Sequence, residues 1–425
     1  MPRILYVSLQ GSPHTARWVD CVADAGWDLH MFGIDDAPPN PLLRGVTLHL
    51  PQVAPAGPAL SRWRRLLRRL LPRPERAAST PAGPGPVRPQ PFEPQVAMPD
   101  PAARIPFGTT GADCPALHGP QVLAELIRAL KPDLIHSMEF QHCGYLVLAA
   151  RDILGARGFP PWLATNWGSD IYLFGRDPNH ATEIRRLLAA ADLYSCECRR
   201  DLALAREFGF YGPELPVLPN SGGMDLKRLE PLRDPTPPSR RKLIMVKGYD
   251  HFAGRAMISL AVLERFAERL RGHRIVLFSV GARPRVRALE LKAQGVLDIE
   301  VIDAATHDEI LARFGQARIY LGISISDAIS TSVLEAMAMG AFPIQTNTSC
   351  CEEWFEDRVG GFAIPPDDFE VICDRFARAL NDDALVDSAA PLNRAVIEAR
   401  LSKDVVGPQV RELYAQALAH TGRCA

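Results

Sequence analysis

"RIYLGISISDAISTSVLEAMAMGAFPIQT", residues 318–346, holds a short apolar run, a loop of small polar residues, an alanine- and methionine-rich helix and a second apolar run. "RIYLGIS" and "FPIQT" are short enough for buried strands on either side of the helix. Strand, crossover helix and strand make the unit of a parallel sheet. Helix N-termini leave N–H groups free and carry partial positive charge, so this one suits a phosphate. Ser330, Thr331 and Ser332 keep its backbone accessible. Asp327 and Glu335 frame its start; Asp327 can accept hydrogen bonds from sugar hydroxyls, and Glu335, one turn in, two from a ribose diol. Ser332 to Glu335 is also S-x-x-E, so a capping box competes with ligand binding as the reason for these residues.

The same alternation extends upstream. "KLIMVK", "RIVLFSV" and "IEVID" read as strands separated by helices over 255–271, 285–294 and 307–316, and helices follow over 368–382, 391–401 and 404–419. A first array opens with "RILYVS", the loop "LQGS", a helix from Pro13 and the strand "GWDLHMFG". It continues with helix "GPQVLAELIRALK", strand "PDLIHS", helix "QHCGYLVLAARDIL", strand "PWLATNW", helix "ATEIRRLLAAA" and strands "DLYSC" and "LPVLPN". "NSGGMDLKRLEPLRDPTPPSRR" is a linker by its glycine and proline content. Two βαβ arrays predict an α/β protein of two doubly wound parallel-sheet domains with a cleft between them, where strand ends meet. The first loop has one glycine, Gly11, so a dinucleotide fingerprint is missing. Lys247 and Arg255, in "VKGYDHFAGRA", flank a glycine-containing loop at a strand end; they are either a diphosphate-neutralising pair or a solvated surface pair.

Residues 51–116 interrupt the pattern with a Pro-, Ala- and Arg-rich spacer. Within it "LSRWRRLLRRLL", residues 60–71, places Leu60, Trp63, Leu67, Leu70 and Leu71 on one helical face and Arg62, Arg65, Arg68 and Arg69 largely opposite. Such a basic amphipathic helix reads as contact with an anionic membrane surface, or else as a solvated spacer or a helix packed on its own domain. A length of 425 residues suits two domains, and a net charge of -1 gives no global attraction to nucleic acid. The nine cysteines include no C-x-x-C pair, which points to reduced thiols, no structural metal and a cytoplasmic protein. No signal peptide and no membrane span are expected.

The second array resembles the retaining glycosyltransferases of the GT-B fold, specifically glycosyltransferase family 4 (glycosyl transferases group 1). That family carries two acids separated by seven residues ahead of an "EAMA-G" helix; here Asp327 and Glu335 stand at the two acids, followed by "AMAMG". Lys247 and Arg255 resemble its basic pair. "GGFAIPPDDFEVICDRFARAL", "NSGGMD", "GSPHTARW" and "NWGSDI" resemble further family segments, and the likeness covers most of the chain outside 51–116. The first acid is Asp where the family has Glu, and Ala328 replaces the glycine usual beside it. The resemblance implies an acceptor domain over 1–219, a donor domain over 220–403 and a final helix, 404–425, packed back on the first domain.

It further implies a metal-independent enzyme without cofactor. A nucleotide-diphosphate sugar (UDP- or GDP-linked) would bind the second domain, and a glycan, lipid-linked or small-molecule acceptor the first. Lys247, Arg255 and the Ser330–Thr331 N–H groups would stabilise the departing diphosphate, Asp327 would hold the sugar, and Asp303 and Ala304 would lie near the base. Gly11 would permit close approach of the donor. One of His136 and His142 would hold the donor sugar, with His142 preferred, and His14, His136 and Asp170 would serve the acceptor side. A turn-forming Asp170 and structural histidines are the alternatives. Competing readings of the whole chain are a nucleotide-sugar epimerase, a sugar phosphorylase and a non-catalytic scaffold.

Overall fold

The computed structural model describes residues 1–34, 37–51, 88–92 and 119–420. The amphipathic segment 60–71 lies outside them. Among the described residues, thirteen strands form two sheets. In the first domain these are β1 (Arg3–Ser8), β2 (Asp28–Gly33), β3 (Thr47–Pro51), β4 (Arg88–Phe92), β5 (Leu134–Met138), β6 (Trp162–Thr165) and β7 (Leu193–Ser195). In the second they are β8 (Leu243–Lys247), β9 (Arg274–Phe278), β10 (Ile299–Val301), β11 (Ala317–Gly322), β12 (Phe342–Thr346) and β13 (Phe362–Ile364). The strand orders are β4-β3-β2-β1-β5-β6-β7 and β10-β9-β8-β11-β12-β13. All pairs are parallel. Every residue of β11 and β12 is buried, as expected where helices cover both faces of a sheet.

The order reverses between β1 and β5 in the first sheet and between β8 and β11 in the second. Chain leaving neighbouring strands at such a point departs in opposite directions and opens a crevice at the carboxyl ends. The loops after β1, β8 and β11 are therefore the ones that frame the cleft. Helix Thr331–Met339, which follows β11, stops at Gly340, whose φ of 84° is the left-handed turn that glycine tolerates best.

Three strands were not anticipated: β3, β4 and β13. β4 lies inside the stretch expected to be spacer and pairs with β3 at the sheet edge. Conversely, "LPVLPN" is not a strand; Glu214, just before it, makes an isolated bridge with Tyr194, and within it Leu218 N donates to Cys196 O at 3.2 Å. Pro216 and Pro219 there lack the N–H that a ladder needs.

The chain crosses between domains twice, and the crossings lie side by side: Met224 N donates to Leu401 O at 2.7 Å and Lys403 N to Met224 O at 2.8 Å. After the second crossing, helix Lys403–His420 joins the first domain's core, where Val406, Val410, Leu413 and Tyr414 pack with Ile4, Tyr6 and Trp18. The Tyr414 hydroxyl accepts from Trp18 Nε1 at 2.8 Å and meets His136 Nδ1 at 2.7 Å, all buried. Tyr414→Phe strands both partners, a cost of about 1–3 kcal/mol. Thermal unfolding is expected to show a melting temperature lower by a few degrees; an unchanged value would contradict the role given to this hydroxyl.

Candidate active site

A cavity of about 780 Å³ lies between the two sets of strand ends. Its second-domain wall holds Lys247, Tyr249, Asp327, Ser330, Thr331, Ser332 and Glu335; the first-domain wall holds His14, Arg17, Trp167, Ser169, Glu197 and Asn220. Lys247 ends β8, and its Nζ sits 4.6 Å from the Tyr249 ring centroid. Burial opposes its charge, but the Tyr320 and Tyr249 oxygens and the Asp327 and Glu335 carboxylates outweigh burial and hold its pKa above the ordinary lysine value.

Helix Thr331–Met339 presents an N-terminus with no capping side chain; Ser330 is its N-cap residue, in extended conformation. The S-x-x-E reading therefore fails as a cap. Ser332 lies inside the helix, and the Glu335 side chain turns to His307, with Oε1 2.6 Å from Nε2. A complete capping box occurs one helix earlier, at Thr306 and Glu309. His307 also meets Arg17 Nη2 at 3.3 Å. Arg17, His307 and Glu335 thus form a polar bridge from the first domain to the second.

Asp327 is half-buried, and its Oδ1 accepts from Ala328 N at 2.9 Å. Burial pushes its pKa up, against the opposing pull of Lys247, the Ala328 N–H and Arg200. Glu197 of the first domain is pushed well above the carboxylate range by burial and then by Asp327. Burial, then Arg17 and Lys247, lower His14 to about 4, so it stays neutral at neutral pH. Its ring lies 5.8 Å from that of Trp167. Among the described residues, Trp167 Nε1 and Asn220 Oδ1 find no hydrogen-bond partner.

Direct contacts fix the two walls relative to one another. Arg200 reaches across to Thr348 O and Asp327 O, both at 2.7 Å, and Ser326 Oγ donates to Ser169 Oγ at 2.9 Å. Gly168 has φ 104°, and a Cβ there would stand 2.1 Å from Ala328 N, so the walls meet where no side chain fits.

Lys247, Asp327, Glu335, Ser330, Thr331 and His14 converge on the cavity, and the other candidates do not. Arg255 Nη1 donates to three carbonyls of its own loop, at His251, Phe252 and Gly254, so it staples the loop. The cavity's other cations are Arg17 and Arg228 instead. His142 pairs with Glu139 at 3.1 Å away from the cavity lining. His136 is fully buried in β5 between Tyr414 and Thr165 and cannot meet a ligand. Asp170 is buried beneath the wall, accepting the Trp167 and Phe140 N–H groups. Gly11 gives its carbonyl to Asn40. Asp303 pairs with Arg285, and Ala305, next to Ala304, is the residue of that loop that reaches the cavity. Arg17, His307, Trp167 and Glu197 went unseen. Arg17 and Trp167 lie within the quoted segments "GSPHTARW" and "NWGSDI", which was the available signal.

With this geometry in place, the likeness to known proteins becomes specific. Residues 249–382 match the family model described as "Glycosyl transferases group 1", and residues 116–197 match that described as "Glycosyl transferase 4-like". The chain belongs to the group 1, family-4-like glycosyltransferases, and its fold is GT-B. No curated protein matches it by sequence. Among solved structures, sucrose-phosphate synthase from Thermosynechococcus elongatus is similar at 16% identity and a TM-score of 0.67, over 99% of this chain and 100% of that one. The Anabaena protein HepE in complex with UDP-glucose is similar at 14% identity and a TM-score of 0.62, over 98% of this chain and 100% of that one. A UDP-forming trehalose-phosphate synthase from Burkholderia xenovorans shows 14% identity and a TM-score of 0.63, over 99% and 100% of the two chains.

Asp170 offers a pH test. Burial, then the neighbouring Glu139 charge, raises it from its ordinary 3.8 to about 8. Between those values the folded chain keeps a proton that the unfolded chain has lost, so this group's stabilisation is complete at low pH and declines as pH rises. Asp170→Asn keeps an uncharged acceptor in place. Its melting temperature relative to the parent is expected to climb steadily from about pH 5 to about pH 8; a constant offset would contradict the raised value.

Proposed function

We propose that this glycosyltransferase moves a sugar from a nucleotide-diphosphate sugar to an acceptor hydroxyl with retention of configuration and without a metal. The observation that carries this is the meeting of Lys247, Asp327, Glu335 and an uncapped helix N-terminus in one interdomain cavity. A UDP-linked donor is supported by the UDP and UDP-glucose named for the similar structures. In this reading the diphosphate lies against Lys247 and the Ser330–Ser332 N–H groups, which supply the charge a divalent ion would otherwise provide. Glu335 accepts the ribose diol, exchanging or sharing its bond to His307. Asp327 accepts from the sugar. The bond between the anomeric carbon and the diphosphate oxygen breaks, the acceptor oxygen attacks from the same face, and the diphosphate takes the acceptor's proton. The first-domain wall is the acceptor side in this reading, supported by Trp167 Nε1, neutral His14 and Glu197 on it.

Mass spectrometry after incubation with a panel of nucleotide sugars and acceptors tests the reaction; a donor unchanged with every acceptor would contradict it. Glu335→Gln weakens a charge-assisted bond worth about 1–3 kcal/mol, so catalytic efficiency is expected to fall roughly 5- to 150-fold. Because an amide at this position can still bond His307 and the helix carries no cap there, melting should change little. Excess chelator should leave turnover within about twofold, and activity abolished by chelator and restored by manganese would rule out the metal-free step. The arginine-rich segment 60–71 supports a lipid-linked acceptor at an anionic surface. Charge reversal at Arg65, Arg68 and Arg69 is expected to abolish co-sedimentation with anionic vesicles.

A further inference from the structure

Beside the cavity, the two domains bring together a pair of thiols. Cys198, fully buried, is the N-cap residue of helix Arg199–Glu207 in the first domain. Cys350, 9% exposed, follows β12 in the second. Their Sγ atoms are 3.2 Å apart across the interface. A disulfide bond is about 2.05 Å long, so closing it asks for a shift of roughly 1 Å. Cys350 has φ 48°, the left-handed region that a non-glycine residue adopts at a cost. The backbone is thus held in a strained turn at the residue that faces Cys198.

The surrounding contacts tie this pair to the site. Arg199 N donates to Glu353 Oε1 at 2.9 Å, and Arg200, two residues from Cys198, holds the carbonyls of Thr348 and Asp327. Neither cysteine touches the cavity, and the transfer step above uses neither.

We propose that Cys198 and Cys350 form a reversible disulfide that ties the two domains together, with a low-molecular-weight disulfide as the oxidant. The Cys350 thiolate, the less buried of the two, attacks the oxidant, forming a mixed disulfide and releasing one thiol. The Cys198 thiolate then attacks the Cys350 sulfur and expels the second thiol. Two protons leave the protein thiols and the oxidant's disulfide is reduced to two thiols, so atoms and electrons balance. The bond fixes the segment carrying Arg200 against the loop after β12, whose Thr348 carbonyl accepts from Asp327 N at 3.4 Å. Donor entry and product release in a two-domain cleft need those walls to move. The bond itself does not depend on the reaction catalysed; only its effect on turnover rests on the glycosyl-transfer reading.

The test treats the full chain with oxidised glutathione and maps its peptides without reduction. The expected result is a Cys198 peptide joined to a Cys350 peptide, lighter by two hydrogens and released by dithiothreitol. The melting temperature should rise by about 5 °C or more on oxidation and fall back on reduction. Cys198→Ser and Cys350→Ser should each lose both responses; should either variant fail to fold, peptide mapping of the parent still decides. Turnover of a UDP-sugar by the parent should drop at least about tenfold on oxidation and recover with dithiothreitol. Thiols that both stay open to alkylation would overturn the proposal, as would links to Cys196 or Cys351. So would one zinc per chain held by Cys198, Cys350 and Glu353, whose ligand atoms lie within 4.8 Å of one another. A bond that forms yet leaves turnover unchanged refutes the tie and leaves the transfer reading standing.

Discussion

A parallel strand buried on both faces has no polar side to offer, so its chain can meet a ligand only where the strand ends. That constraint governs the molecule. Both sheets are wholly parallel, and the chain beyond β1, β8 and β11 brings His14, Arg17, Tyr249, Asp327 and Glu335 to the cavity while the chain beyond β6, β7 and β10 brings Trp167, Ser169, Glu197 and His307. The reversal of strand order keeps those loops from burying one another. Lys247 and Asp327 come from sequence positions far apart, yet one ends and the other follows a buried strand at the reversal point.

Charge inside this crevice is balanced by proximity more than by solvent. Lys247 keeps its proton because acids and phenols surround it, while Asp327, itself raised by burial, raises the pKa of Glu197 in the other domain. Such an arrangement accepts an anion readily, because the cation is present and the flanking carboxyls resist full ionisation. The unpaired indole N–H of Trp167 on the opposite wall follows the same logic: a polar atom left without a protein partner suits a polar ligand.

The strands that matter were legible as continuous apolar runs; Lys247 was legible at a strand's carboxyl end, and Asp327 and Glu335 as two acids framing a helix start. The reading failed where the deciding neighbour is remote in sequence. His136 looked available at a strand end, but a helix 278 residues later supplies the Tyr414 hydroxyl that claims it. Arg255 looked like a phosphate ligand, but the loop it follows curls back and offers three carbonyls. His307 was invisible because its importance comes from Glu335 and Arg17, one on a neighbouring helix and the other in the other domain. β3 was lost for a local reason: it is short and runs directly into the proline-rich stretch.

The return of helix Lys403–His420 to the first domain makes that domain discontinuous. Trp18 finds its hydrogen-bond partner 396 residues downstream. During synthesis the second domain's strands and covering helices are complete before the first domain's core can close. Until the last helix emerges, Ile4, Tyr6 and Trp18 lack the apolar face that buries them. Helix Lys403–His420 therefore acts as the latch of the nascent protein, and truncation before it disables the domain made first, not the one beside the cut.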